Sequence, residues 1–243
     1  MDQSLFHLIN QQWTSPAVDL FMAALSDSDI WRPLFIAIGA SALFFGGFKA
    51  RAFVICLLLS LLITGQLTGV LKSAVNRHRP KQVETVRMVQ LRRTSPKFLT
   101  VFKKPTIRFS DSSDRTRSGP SFPSGHVTTN CVIAVFCTLF YRRHGWLYWF
   151  IAAAIGYSRI YLGAHWPSDV IATLFLAIGE ALLLLGLCEL IWRTAARKWA
   201  PNLYARHPSL IVGHASSLPS PHSQARHGTS SSDRRTGGSR HSP

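Results

Sequence analysis

Acidic side chains are scarce in this 243-residue chain: 11 Asp and Glu stand against 27 Lys and Arg, for a formal net charge of +16. Charged residues of either sign make up only 16% of it, while 47% are apolar. That apolar share excludes a disordered basic protein for the chain as a whole. Cysteine is sparse too. Cys56, Cys131, Cys137 and Cys188 each lie in an apolar run and form no CxxC pair. Metal-site spacing is therefore missing, and the four read as small packing residues. The first thirty residues lack the basic segment and cleavage site of a secretion signal, and no internal repeat is visible.

So basic a chain would suggest a nucleic-acid partner if its charge were spread over the surface. It is not. Residues 72–122 hold 13 Lys/Arg against 3 Asp/Glu, a net of +10. The rest is dominated by five apolar segments at about 31–50, 52–71, 127–141, 145–162 and 169–192. Each approaches the roughly 20 residues that span a bilayer. Five such helices in so small a chain leave little to cover them, which argues against a soluble bundle. The expected fold is all-α: a multi-pass integral membrane helical bundle of about five transmembrane helices with N-terminal amphipathic helices and an active site at one membrane face.

Residues 1–30 form the amphipathic interfacial part, with Leu5, Phe6, Leu8, Ile9 and Trp13 on its apolar side. Residues 31–206 form the membrane domain, interrupted by a basic insertion at 81–122. Segments 86–91 and 104–109 hint at short strands inside that insertion. Residues 207–243, rich in Ser, Gly, Pro, His and Arg, are expected to be a disordered tail. Alternation of the spans puts the N-terminus, the 72–126 loop and the 158–168 turn on one face. Lys49, Arg51, Arg142, Arg143, Arg193, Arg197 and Lys198 lie on the other. The positive-inside rule makes that second face cytoplasmic, so the 72–126 loop is expected outside the cytoplasm, on the inner cell membrane.

Three chemically dense clusters fall on that outer face. Lys72, Arg79 and Pro80 leave the second span; Pro123, Ser124, Gly125 and His126 begin the third; Ser158 and Arg159 end the fourth, followed by His165 and Asp169. Ser124 reads as an N-cap, and a helix N-terminus with Gly125 in its first turn is an anion site that lets an oxyanion approach the backbone. Pro167 starts the last helix near Ser168, leaving His165 in the preceding turn. Asp169 would then reach back to one ring nitrogen of His165, orienting it and making the other a better nucleophile. Arg159 is charged at any working pH.

Lys72-x6-Arg79-Pro80, Pro123-Ser124-Gly125-His126 and Ser158-Arg159-x5-His165-x3-Asp169 together resemble the three-part signature of the type 2 phosphatidic acid phosphatase superfamily, membrane lipid phosphatase branch. The resemblance runs from about residue 10 to 192. It implies that His165 attacks phosphorus and becomes a phosphohistidine, Asp169 orients it, and His126 protonates the leaving oxygen and later helps activate water. It also implies that Lys72, Arg79 and Arg159 clamp the phosphoryl oxygens with Ser124 and the Gly125 backbone, and that no metal or cofactor takes part. The substrate it implies is a membrane lipid phosphate. An isoprenoid diphosphate such as undecaprenyl diphosphate comes first, with phosphatidylglycerophosphate, phosphatidate or lipid A phosphate as alternatives. The basic insertion would gather anionic headgroups of the bilayer, as a lid, a headgroup selector or a loose lipid-touching loop; nucleic acid drops out as a partner. A vanadate-dependent haloperoxidase and a non-enzymatic binder of anionic lipid are the competing classes. The sequence does not specify an oligomeric state.

Overall fold

The computed structural model describes residues 1–95 and 97–211. Helix α1 (Asp2–His7) runs into a π-helical turn and is followed by α2 (Pro16–Ser26). Ser15 caps α2 by accepting from Val18 N, with Pro16 at the first position, where a missing N–H costs nothing. Asp27 caps α3 (Ser28–Phe45) by accepting from Asp29 N at 2.9 Å. Helix α4 (Phe48–Val75) ends on Asn76 in the left-handed conformation, a residue type that tolerates it.

The insertion follows as α5 (Pro80–Val83), strand β1 (Arg87–Gln90), a 3-10 turn, strand β2 (Thr106–Phe109) and α6 (Ser112–Arg117). The strands pair antiparallel with Arg87 opposite Phe109, at the two segments whose sequence hinted at strands. Helices α7 (Gly125–Phe140), α8 (Tyr148–Tyr161), α9 (Pro167–Trp199) and α10 (Pro201–Arg206) complete the chain.

The five apolar segments map onto α3, α4, α7, α8 and α9. Of these, α3, α4 and α9 are long and apolar enough to cross a membrane. Helices α7 and α8 have 16 and 14 residues, rising only about 24 and 21 Å at 1.5 Å per residue. The shortfall has a packing reason: α7 lies at the centre, against α4, α8 and α9. Val132, Phe136 and Phe140 of α7 are fully buried against Ala181 and Leu185 of α9 and Ala52 and Cys56 of α4. Small residues at Ala177 and Ala181 let α9 approach α7 closely. Glycine is required in the α7–α8 turn, because a Cβ on Gly145 would lie 1.8 Å from the Cys137 carbonyl oxygen. By contrast α3 buries none of its residues, and Phe35, Ile36, Phe44 and Phe45 face outward. So apolar an outer surface fits contact with lipid or with another protein rather than with water.

The N-terminal segment packs on the protein. Phe6 and Ile9 join Val86, Tyr161 and Trp166 in one buried cluster. Asn10, fully buried, donates to the carbonyls of Arg87 and Tyr161 at 2.9 and 2.7 Å and accepts from Arg87 N at 3.1 Å. Asp19 takes Arg87 at 2.6 Å and the Tyr161 hydroxyl at 2.6 Å. The first helices and β1 are thereby tied to the end of α8, whose last turn carries Arg159. Of the tail expected from residue 207, positions 207–211 pack back on the bundle: the His207 ring stacks on Phe48 and Leu210 is buried. The remainder, 212–243, lies outside the described residues.

Candidate active site

The three clusters converge at one end of the bundle. The last turn of α4 carries Lys72. Arg79 precedes α5, and its guanidinium donates to the backbone carbonyls of Gly119 (2.8 Å), Pro120 (3.3 Å) and Ala164 (3.4 Å). It thus fixes the end of the insertion to the loop that holds His165.

Ser124 occupies the N-cap position of α7, as the sequence suggested, yet its side chain caps nothing. The residue is fully buried; its N–H donates to Thr173 Oγ1 at 3.0 Å, while Oγ has no partner among the described residues. At Gly125 an added Cβ would meet open space, so the backbone there is approachable. His126 stands in the same turn and lines a cavity together with Ser26. Arg159, on the last turn of α8, donates through Nη1 to Ser26 Oγ, while its buried Nε is unpaired among the described residues.

His165 is 2% exposed in the turn before α9. Burial holds its basicity well below the ordinary imidazole value of 6.5; the charges of Arg79, Arg159 and Lys72 add to the effect, and hydrogen bonding to the Ser121 backbone opposes it. The same three cations act on His126. All eight residues singled out in the sequence therefore share one locale. His165 is neutral at neutral pH, so its contribution to folding stability is complete above about pH 6.5 and lost as pH falls through its depressed value.

Asp169 departs from expectation. It caps α9 by accepting from Trp166 N at 3.1 Å, the geometry that Trp166-Pro167 dictates at the helix start. Its other bonds, among the described residues, go to Arg77 Nη1 at 2.7 Å and to the Ser121 hydroxyl at 2.5 Å. Ser121 Oγ in turn lies 3.5 Å from His165 Nδ1. Carboxylate and imidazole are thus joined through a serine, because both carboxylate oxygens are already engaged. Arg77 continues outward to Ser168 Oγ at 2.9 Å and to Asp2 at 2.8 Å. Arg77 and Ser121 are the residues that sequence reasoning missed. A third cation between Lys72 and Arg79 was a visible signal for the first; nothing in the sequence marked Ser121.

Of the cavities that His126 lines, two flank it with different character. A polar one of about 570 Å³ is lined by Arg159, Asp27 and Asp29 and, from the insertion, Gln90 and Arg93. An apolar groove of about 540 Å³ runs between α3 and α4, along Trp31, Phe35, Leu58 and Leu61. A family model described as the PAP2 superfamily matches residues 53–193. The chain belongs to the PAP2 superfamily.

Within PAP2, the chain is similar to the lipid A 1-phosphatase of Rhizobium johnstonii, with 34% identity over 59% of this chain and 52% of that one. It is also similar to the undecaprenyl-diphosphatase BcrC of Bacillus subtilis, with 38% identity over 24% of this chain and 30% of that one. The matches span about a third to two thirds of the length of such curated relatives. The crystal structure of Aquifex aeolicus LpxE superposes with a TM-score of 0.53 and 26% identity, over 76% of this chain and 94% of that one. The transmembrane PAP2 architecture is therefore shared, and the chain is a membrane protein.

Proposed function

We propose that this chain is a membrane lipid phosphatase that works through a phosphohistidine. The observation that carries the reading is a pair of buried donors without protein acceptors among the described residues, Ser124 Oγ and Arg159 Nε. Arg159 lies close enough to Lys72 and Arg79 for their like charges to act on one another, and Ser124 opens the helix whose His126 feels all three. Leaving a buried donor unsatisfied costs about 1–3 kcal/mol, and a bound phosphoryl group would accept from both. A ring nitrogen of His165 attacks phosphorus as the bond to the lipid oxygen breaks, and His126 donates its proton to that oxygen. The anion beside His126 favours the protonated form that this step needs. Water then attacks the phosphohistidine, His126 takes its proton, and inorganic phosphate leaves. Lys72, Arg79 and Arg159 hold the charge that develops, with the Ser124 hydroxyl and Gly125 backbone assisting.

The apolar groove reaching His126 is suited to the lipid tail and the polar cavity to the headgroup, with the insertion as its outer wall. The lipid A 1-phosphatase match covers more than twice as much of this chain as the undecaprenyl-diphosphatase match. A lipid A-type sugar phosphate therefore ranks ahead of the isoprenoid diphosphate that the motifs first suggested, which stands as the second reading. The basic opposite end of the bundle favours an active site on the extracytoplasmic face.

Phosphate release from a detergent-solubilised panel of these lipids tests the reading. Release from at least one is expected, with lipid A phosphate fastest; no release from any member would sink it. The pH dependence is a second test. A neutral His165 places the acid limb of kcat/KM well below 6.5. Arg79→Gln removes a charge that depresses His165, so this limb should move to higher pH in that variant. A downward shift would contradict the assignment of His165 as the group that must be unprotonated.

A further inference from the structure

We propose that Ser121 is a positioning residue that sets the tautomer of His165; its kinetic consequence rests on the hydrolase reading above, its spectroscopic one does not. The hydroxyl has one proton and accepts with its lone pairs. Its partner at 2.5 Å is Asp169 Oδ2, and an ionised carboxylate only accepts. Asp169 meets the Arg77 guanidinium at 2.7 Å as its anionic partner. The serine proton is therefore committed to Asp169, and toward His165 the oxygen can only accept.

The ring nitrogen facing it is Nδ1, at 3.5 Å. Nδ1 must then carry the imidazole proton. The lone pair is left on Nε2. A 3.5 Å contact is loose, but such contacts tighten when substrate is bound. Burial makes the arrangement effective: Ser121 and Asp169 are fully buried and His165 nearly so, so water does not compete for the hydroxyl proton.

Ser121 also explains how Asp169 acts on an imidazole that it does not touch. The carboxylate orients a hydroxyl, and the hydroxyl orients the ring. Arg77, Asp2 and the Ser168 side chain hold the carboxylate from behind, with Asp2 accepting from Ser168 N at 2.9 Å and Oγ at 2.5 Å. The result is a chain of five side chains contributed by the N-terminus, both ends of the 77–121 stretch and the start of α9.

Nitrogen-15 NMR of the full chain in micelles, labelled at histidine and assigned by difference from His165→Gln, reads the tautomer directly. Wild type should show His165 protonated on Nδ1 at pH 7. Ser121→Ala should show a mixture of tautomers and lower kcat about 10–100-fold with KM little changed, the scale of losing an outer hydrogen-bond partner that orients a histidine. Ser121→Thr, which keeps the hydroxyl, should recover most of both. Protonation on Nε2 in the wild type overturns the proposal, as does a Ser121→Ala variant with unchanged tautomer and kcat. If Ser121→Ala does not fold, the wild-type spectrum still decides. A wild type with the Nδ1–H tautomer but no phosphatase activity would count against the hydrolase reading alone.

Discussion

His165→Ala is expected to lower lipid phosphate hydrolysis by about 10⁴-fold or more, the scale seen when a covalent nucleophile is removed and only binding and electrostatic stabilisation remain. The fold should survive. His165 sits in a turn before α9 and is neutral at neutral pH, so its truncation leaves no partner with an uncompensated charge. Two measurements check the prediction together. Single-turnover phosphate release should fall to near the uncatalysed level, and an acid-labile phosphoenzyme trapped from labelled lipid should vanish. Persistent phosphoenzyme in the variant would place the covalent intermediate on another residue. His126→Ala separates the two histidines, because on the proposed mechanism it slows both steps yet leaves the nucleophile in place.

Asp169→Asn carries the second largest expectation, a loss of roughly 10³–10⁴-fold, comparable with other enzymes in which an orienting carboxylate becomes an amide and the wrong imidazole tautomer results. The physical reason is particular to Ser121. An asparagine amide can donate to the serine oxygen, which frees the serine proton to point at His165 Nδ1. Nδ1 then becomes the acceptor and Nε2 carries the proton, so the attacking lone pair is gone. Arg77 also loses its buried anion. Stability should drop too, since removing one partner of a buried pair is costly; Asp169 is fully buried while Arg77 is partly exposed, which moderates the effect. Steady-state kinetics and thermal unfolding in detergent distinguish the two components. A variant that unfolds normally and keeps kcat within tenfold would show that the carboxylate has no orienting role.

Much of this protein is legible in one dimension. The apolar stretches mark α3, α4, α7, α8 and α9, since a bilayer selects on local hydropathy and length. Segments 86–91 and 104–109 hint at β1 and β2. The motif residues mark the candidate site, because each proposed role calls for a particular residue type beside a helix end: Ser124 and Gly125 at the start of α7, Arg159 at the end of α8, Asp169 in the first turn of α9. What misled was reach. Asp169 lies four residues from His165 in sequence, which favours direct contact, but capping Trp166 N uses the same oxygen that would have turned to the ring.

The sequence by itself determined the membrane class, from its apolar runs, and the family, from the resemblance of its three motifs, and it singled out eight candidate residues. Only the tertiary structure decided how those residues are wired. Ser121 and Asp169 are 48 positions apart, and Arg77 and Asp169 are 92 apart. Whether such pairs meet depends on how α4, the insertion and α9 pack to within a fraction of an ångström. Hydrogen bonds are short-ranged and directional, so a difference of that size chooses which oxygen faces which nitrogen.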